Sequence, residues 1–225
     1  MSDRITIVLA DDHNVVRQAL RVLLETEPEL QVVGEAADGL LVAELVERLR
    51  PDVLVVDLMM PGLGGTEVTR QVVKRTPATR VVVLSMHVNE AHVLEALRCG
   101  ARGYVRKDAT AADLLHAIRV VAAGHLYLSP PFSDRAIEAY RQRAEEAGAD
   151  PYESLTDRER EVLHLAAEGL SNAEMAERFG ISPRTAETHR ANVMRKLGLR
   201  RQADFVRYAL RRGIVTLDED AGPAN

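Results

Sequence analysis

Residues 53–62 read VLVVDLMMPG, and in this stretch a carboxylate directly follows four apolar residues. The run at 53–56 has the continuous β-branched character of a strand that is buried on both faces, as strands of parallel sheets are. A buried and unpaired Asp57 would cost several kcal/mol of stability. Asp57 therefore has partners or a chemical function, and an Asp that only caps a turn at a strand end is the simpler alternative.

Strand-like and helix-like segments alternate on both sides of this stretch. The predicted strands lie at residues 5–10, 31–36, 53–57, 80–85 and 103–105, and the predicted helices at 15–25, 39–50, 66–75, 90–100 and 111–124. Such alternation predicts an α/β fold, a doubly wound parallel sheet of five strands with helices on both faces. Folds of this class bind ligands at the carboxyl ends of their strands.

Charged and hydroxyl side chains collect at those strand ends. They are Asp11 and Asp12 after the first strand, Asp57 after the third, Ser85 after the fourth and Lys107 past the fifth. Three carboxylates and one ammonium leave a negative pocket, which predicts a divalent cation, and oxygen ligands with access to water favour Mg²⁺. A carboxylate beside Mg²⁺ can attack phosphorus to form an acyl phosphate, whose oxygens Lys107 and Ser85 would bind. A charge cluster that only stabilises loop ends is the alternative.

Residues 1–124 resemble the receiver domain of bacterial two-component response regulators. The matching motifs are ADD (10–12), VVDLMMPG (55–62), LSMH (84–87) and GYVRKDA (103–109). The resemblance implies a flavodoxin-like sheet with strand order 2-1-3-4-5, and it makes Asp57 the phosphoacceptor.

The same resemblance assigns roles to the other residues at the strand ends. It implies that Asp12, Asp57 and the backbone carbonyl of Met59 ligate Mg²⁺. Asp11 would act on the metal through a water molecule. By the same resemblance, Lys107 would pair with the phosphate, and Ser85 and Tyr104 would be the switch residues.

The chain changes character after the fifth helix pattern. Residues 125–153 contain a Pro pair, a helix pattern from Ser133 to Gly148 and an Asp–Pro step, which predict a semi-rigid linker with a helix. Residues 154–213 contain four helix patterns and no strand pattern, which predicts a small all-α domain. Residues 214–225 form an acidic tail.

Basic residues are concentrated in the helical part of the chain. Residues 181–212 carry nine Lys or Arg against two Asp or Glu, although the whole chain has a net charge of −5. A basic segment in an acidic chain indicates a nucleic-acid surface, with a solvated helical face as the alternative.

Within that part of the chain lie a helix, a break and a second helix. Ser171 caps the first helix and Gly180 ends it, and Ser182 then caps the second helix ahead of a first-turn Pro. This arrangement is a helix-turn-helix, whose second helix enters the major groove of double-stranded DNA. The residues predicted to face the bases are Arg184, Glu187, Thr188, Ala191 and Arg195. Those predicted to reach flanking phosphates are Thr185, His189, Arg190, Lys196 and Arg201.

Residues 155–212 are similar to the LuxR-type DNA-binding domain, along LTDREREVLHLAAEGLSNAEMAERFGISPRTAETHRANVMRKLG. Together the two domains resemble a NarL/FixJ-type response regulator. The resemblance implies a sequence-specific transcriptional regulator that a sensor histidine kinase phosphorylates on Asp57. It also implies two DNA half-sites, a homodimer in the phosphorylated state and RNA polymerase as a candidate partner. The last helix of this family often mediates dimerisation, and core packing is the alternative role for Phe205 and Tyr208.

A dedicated hydrolase or phosphotransferase is the rival interpretation, with the helical domain as a protein-interaction module. No general base lies near the motifs, and the glycine-rich GLGGTEV (62–68) lacks the Lys of a phosphate-binding P-loop. We therefore expect a regulator and not a dedicated enzyme, although Asp57 accepts phosphate and loses it to water. A receiver that works unphosphorylated is a third interpretation, but every motif residue is present.

Composition indicates where the protein works. Cys99 is the only cysteine, which excludes an internal disulfide and favours the reducing cytoplasm. The apolar runs are too short to span a bilayer and the first residues lack a signal-peptide pattern, so we expect no membrane association.

Overall fold

The computed structural model describes residues 4–86, 90–130, 132, 150–212 and 214–215, and the chain divides into two compact units, residues 1–148 and 149–225. In the first unit strands and helices alternate, as the sequence predicts. Its strands are β1 (Ile5–Ala10), β2 (Leu30–Ala36), β3 (Val53–Asp57), β4 (Arg80–Ser85), β5 (Gly103–Arg106) and β6 (Tyr127–Leu128). Its helices are α1 (Asn14–Glu25), α2 (Gly39–Leu49), α3 (Gly65–Arg75), α4 (Glu90–Arg98) and α5 (Ala111–Ala122).

The six strands form one parallel sheet in the order β2-β1-β3-β4-β5-β6. The predicted order 2-1-3-4-5 is confirmed, and the sheet has one strand more than the five predicted. In β6 the Tyr127 N–H donates to the Arg102 carbonyl at 3.0 Å. Two residues are too few to show an alternation pattern, so the sequence predicts only a linker over 125–153, where the structure also has β6.

Strand β3 lies in the middle of the sheet, and all five of its residues are buried, as the apolar run predicts. Successive side chains of a strand face opposite sides. Leu54 and Val56 pack against α2, α3 and α4 on one face. Val53 and Val55 pack against α1 and α5 on the other. Helices therefore cover both faces, and Asp57, the last residue of β3, lies at the carboxyl edge of the sheet.

The second unit is helical, and side-chain caps fix where its helices begin. It contains a 3₁₀ turn (Pro151–Ser154) and helices α6 (Asp157–Ala167), α7 (Asn172–Phe179), α8 (Pro183–Leu197) and α9 (Gln202–Arg212). Capping boxes open α6 and α7, and Ser182 caps α8 directly ahead of Pro183. Helix α7 ends at Gly180 with a φ of 64°, a backbone conformation that glycine adopts without strain. Helices α7 and α8 are the predicted helix-turn-helix.

Some predictions fall outside the described residues. They concern the helix from Ser133 to Gly148, His87 of the LSMH motif and the acidic tail from residue 216 onwards. Among the residues that are described, no helix has both the length and the apolar composition needed to cross a bilayer.

Candidate functional site

Three of the predicted residues meet at the carboxyl edge of the sheet. The Lys107 ammonium donates to Asp57 Oδ2 at 2.7 Å and to Asp11 Oδ2 at 2.8 Å. Asp11 and Asp57 are 1% and 4% exposed, so both carboxylates are held inside the protein. The Lys107 N–H also donates to the Ser85 carbonyl, which fixes the backbone of this loop to the end of β4. The predicted convergence of these side chains is therefore present.

The acidic residues of this site also form a compact group of metal-binding atoms. Asp11, Asp12, His13 and Asp57 each place a ligand atom within 4.8 Å of the others. Three carboxylates supply the hard oxygen ligands that Mg²⁺ prefers, so the donor set fits the predicted ion. The Met59 N–H donates to Asp57 Oδ1 at 3.3 Å, whereas the role of the Met59 carbonyl stays a prediction.

His13 belongs to this group although sequence reasoning did not select it. Its Nδ1 lies 2.9 Å from Asp12 Oδ1 and 3.4 Å from Asp11 Oδ1. Its backbone N–H donates to Asp11 Oδ1 at 2.8 Å. The sequence signal that could have indicated His13 is its position directly after Asp11 and Asp12, where its imidazole lies close to both carboxylates.

Burial and charge act against each other in this site. Burial raises the pKa of Asp57 above its usual value, and the hydrogen bond and charge of Lys107 reduce that shift without reversing it. Burial lowers the pKa of Lys107, but the hydrogen bonds and charges of Asp11 and Asp57 outweigh it and hold this pKa above its usual value. Lys107 therefore stays a cation that can balance charge on an incoming phosphoryl group.

The two predicted switch residues lie next to each other inside the first unit. Ser85 is 1% exposed at the end of β4, and Tyr104 is fully buried in β5. Burial raises the pKa of Tyr104, while a side-chain hydrogen bond with Ser85 opposes that shift. The Tyr104 ring also meets the edge of Phe132, with ring centroids 6.1 Å apart and planes at 80°. No sequence pattern marks Phe132, because a single aromatic residue after a Pro pair has no periodicity.

The predicted base-reading face of α8 is exposed. All five of its residues are solvent-accessible, while Ala186 and Val193 on the opposite side are fully buried. Among the described residues, neither Arg184 nor Arg195 forms an ion pair, so both guanidinium groups are available to a ligand. The exposed residues are Arg184, Glu187, Thr188, Ala191 and Arg195, with Thr185 and Arg201 also exposed and His189 half-buried.

Two of the predicted phosphate-contacting residues have partners within the helical unit. Lys196 donates to Glu159 Oε2 at 2.6 Å and to the Ser154 carbonyl at 2.9 Å. The Arg190 guanidinium donates to Asn172 Oδ1 at 3.2 Å and lies 5.2 Å over the Phe205 ring. Burial lowers the pKa of Arg190. Phosphate contact by both residues stays a prediction, and the structure gives each of them a packing role.

The Lys196–Glu159 pair makes a prediction about stability. Glu159 is 4% exposed, so Lys196→Met leaves a buried carboxylate without its cation. We expect this change to destabilise the α6–α8 contact by about 1–3 kcal/mol, measured by hydrogen exchange of α8 amides in the full chain. Arg195→Met is the matched control, because Arg195 is exposed and forms no ion pair among the described residues.

The same pair predicts a pH dependence. Burial raises the pKa of Glu159, but hydrogen bonds from Lys196 and Thr156 outweigh it, so the folded pKa lies below the usual 4.5. The contribution to stability is then complete above that usual value and is lost as the pH falls through the folded pKa. Glu159→Gln should remove this part of the acid sensitivity, and an unchanged profile would contradict the assignment.

Comparison with known proteins shows the family of this chain. Residues 7–119 match the response regulator receiver domain, and residues 153–209 match the bacterial regulatory proteins of the luxR family. The transcriptional regulatory protein DegU of Brevibacillus brevis is 36% identical over 226 residues, covering 95% of this chain and 96% of that protein. The chain belongs to the NarL/FixJ-type two-component response regulators.

Two further proteins support the assignment of this chain to that family. The oxygen regulatory protein NreC of Staphylococcus carnosus is 36% identical over 213 residues, covering 93% of this chain and 98% of that protein. RcsB of Salmonella enterica serovar Typhimurium, solved bound to promoter P1flhDC with the phosphomimetic BeF3-, has a TM-score of 0.54 at 27% identity. That match covers 91% of this chain and 98% of RcsB. The protein is thus a two-component response regulator that acts as a transcription factor.

Proposed function

We propose that Asp57 accepts a phosphoryl group from a sensor histidine kinase and that this modification controls DNA binding by α8. The observation that carries the proposal is the Lys107 ammonium, which bridges Asp57 and Asp11 inside an acidic site at 2.7 and 2.8 Å. The ammonium of Lys107, already held beside Asp57, can then contact the oxygens of an incoming phosphoryl group.

The residues of the site divide the work of the transfer. Asp57 Oδ2 accepts from Lys107, while among the described residues Oδ1 accepts a single, long hydrogen bond from the Met59 N–H, so Oδ1 is the freer nucleophile. This oxygen forms its bond to phosphorus as the bond from phosphorus to the kinase imidazole nitrogen breaks, and that nitrogen keeps the electron pair. Mg²⁺ held by Asp12, Asp57 and the Met59 carbonyl, with Asp11 acting through water, would neutralise the phosphoryl oxygens.

Loss of the phosphoryl group to water completes the cycle in this proposal. Water attacks phosphorus, the bond to the Asp57 oxygen breaks, and the carboxylate and inorganic phosphate are released. The protein would then hydrolyse only its own phosphoryl group. A cytoplasmic location belongs to the same proposal, and Cys99, the single cysteine of the sequence, supports it.

DNA recognition is assigned to the exposed face of α8. We expect Arg184, Glu187, Thr188, Ala191 and Arg195 to meet base edges in the major groove, because they share one exposed helix face. A phosphorylated dimer would place two such helices on two half-sites about one helical turn apart. Dimerisation and contact with RNA polymerase rest on the family resemblance alone.

A substitution series on α8 tests this assignment. Glu187→Gln and Thr188→Val should change the preferred DNA sequence, each base contact being worth about 1–3 kcal/mol. Arg201→Ala should weaken binding to every sequence and reduce the salt dependence, because a phosphate contact carries no sequence information. The measurement is selection of the preferred sequence from a random DNA library, with affinities at several salt concentrations. If Glu187 and Thr188 variants keep the original preference, α8 is not the reading helix.

A further inference from the structure

A cavity of about 580 Å³ opens at the end of the receiver sheet opposite the acidic site. Arg80 at the start of β4 and Arg102 just before β5 line it, which places it at the amino ends of these strands. The ends of α3, α4 and α5 supply the rest of the wall. The cavity is therefore separate from the site proposed for phosphoryl transfer.

The charge of this cavity is entirely positive. Arg80, Arg98 and Arg102 line it, and none of its lining residues is acidic. Arg98 approaches Glu95 only at 3.9 Å. Within the described part of the chain, the side chains of Arg80 and Arg102 form neither an ion pair nor a hydrogen bond. Arg98 and Arg102 are exposed, so water screens part of their charge, but all three arginines would attract an anion into this cavity.

The other walls are apolar. Val73, Leu97 and Leu126 line the same cavity, and Leu126 is 40% exposed at its mouth. Ligand sites of this volume combine apolar walls with a few convergent polar groups. The guanidinium group is the side chain that best matches the two oxygens of a phosphate or carboxylate.

Helix ends give a structural reason for part of this charge. Helices α4 and α5 both end beside the cavity, and the partial negative charge of a helix C-terminus attracts cations. Arg98, in the last turn of α4, fits that role. The guanidinium of Arg80 lies near Gly124 after α5, where a Cβ would be 3.6 Å from its Nη2. Arg102 lies directly before β5 and in the last turn of neither helix, so neither helix end accounts for it.

We propose that this cavity binds a small molecule that carries two or more anionic groups, phosphate or carboxylate, on a partly apolar body. The anionic groups contact Arg80 and Arg102, and the apolar part lies against Leu97 and Leu126.

Calorimetric titration of the full chain tests the site with inorganic phosphate, pyrophosphate and ADP as probes. EDTA is present, so that metal-dependent chemistry at the acidic site is absent. We expect ADP to bind most tightly, and Arg80→Gln with Arg102→Gln to weaken it by about tenfold or more. The matched control is Arg184→Gln with Arg195→Gln, which removes two arginines from the DNA-binding face and should leave ADP binding unchanged.

Two additional measurements keep the outcome clear. Labelling of the Arg80/Arg102 variant at Asp57 with acetyl phosphate and Mg²⁺ shows that its receiver is folded. Leu126→Trp fills the mouth of the cavity without removing charge and should also weaken ADP binding. The proposal is overturned if no probe binds saturably, if Leu126→Trp binds ADP normally, or if only the Arg184/Arg195 variant loses binding.

Discussion

Asp57→Asn should abolish phosphoryl labelling of the full chain by acetyl phosphate and Mg²⁺, whereas the unchanged protein gains one phosphoryl group. The amide cannot attack phosphorus, and the substitution also removes the charge that Lys107 contacts at 2.7 Å. Among the site residues the effect is the largest expected, because it removes the nucleophile itself. The measurement is intact-mass spectrometry, with hydroxylamine treatment to identify an acyl phosphate.

Two variants complete this experiment. Asp108→Asn makes the same chemical change at an exposed carboxylate that pairs with Arg106, and it should label normally. Asp12→Ala removes one of the clustered carboxylates and should weaken labelling in a way that additional Mg²⁺ restores. Labelling that persists in Asp57→Asn would place the acceptor at another residue.

The acidic site could be predicted because it depends on topology more than on detailed packing. Once the strands are parallel, the residues that follow them share one edge of the sheet. Asp11, Asp57 and Lys107 are 46 to 96 residues apart in the sequence, yet this rule alone brings them together. The strand order itself came from the family resemblance, since periodicity gives the strands but not their neighbours.

Long side chains were the main limit of sequence reasoning. Helical spacing places Lys196 near the predicted DNA-binding face, but it cannot reveal that Glu159, 37 residues earlier, accepts its ammonium. Arg190 turns inward for the same reason, since a flexible stem allows the charged end to reach a tertiary partner. The short strand β6 and Phe132 gave no pattern at all, because each is too small a unit to show a period.

Phe132 matters for how a phosphoryl group on Asp57 could affect the rest of the chain. Ser85 hydrogen-bonds with Tyr104, and the Tyr104 ring packs edge-on against Phe132, which lies inside the segment 125–153 predicted to be the linker. The Tyr104 carbonyl also accepts from the Ser129 N–H at 2.9 Å. These contacts connect the end of β4 with the exit of the chain from the sheet.

A phosphoryl group would compete for the first of these contacts. It brings about −1.5 to −2 of charge and strong acceptor oxygens, which draw the Ser85 hydroxyl away from Tyr104. The buried Tyr104 hydroxyl then loses a hydrogen bond, which favours a second packing of the ring against Phe132. In the present structure Tyr104 is already buried, so the change is a repacking inside the protein.

Phosphorylation should therefore tighten specific DNA binding by roughly 5- to 150-fold, the range of an allosteric coupling of about 1–3 kcal/mol, and should raise the dimer content. Ser85→Ala should keep labelling at Asp57 and lose most of this gain. Tyr104→Phe keeps the ring against Phe132 without the hydroxyl, and Phe132→Leu keeps the hydroxyl without the ring contact. If coupling needs both the Tyr104 hydroxyl and the Phe132 ring, each variant should label normally at Asp57 and lose coupling. Coupling is measured as the change in DNA affinity and in sedimentation mass on addition of the phosphodonor. Equal DNA affinity in both states of the unchanged protein would refute control by the receiver, and full coupling in Phe132→Leu would refute this route.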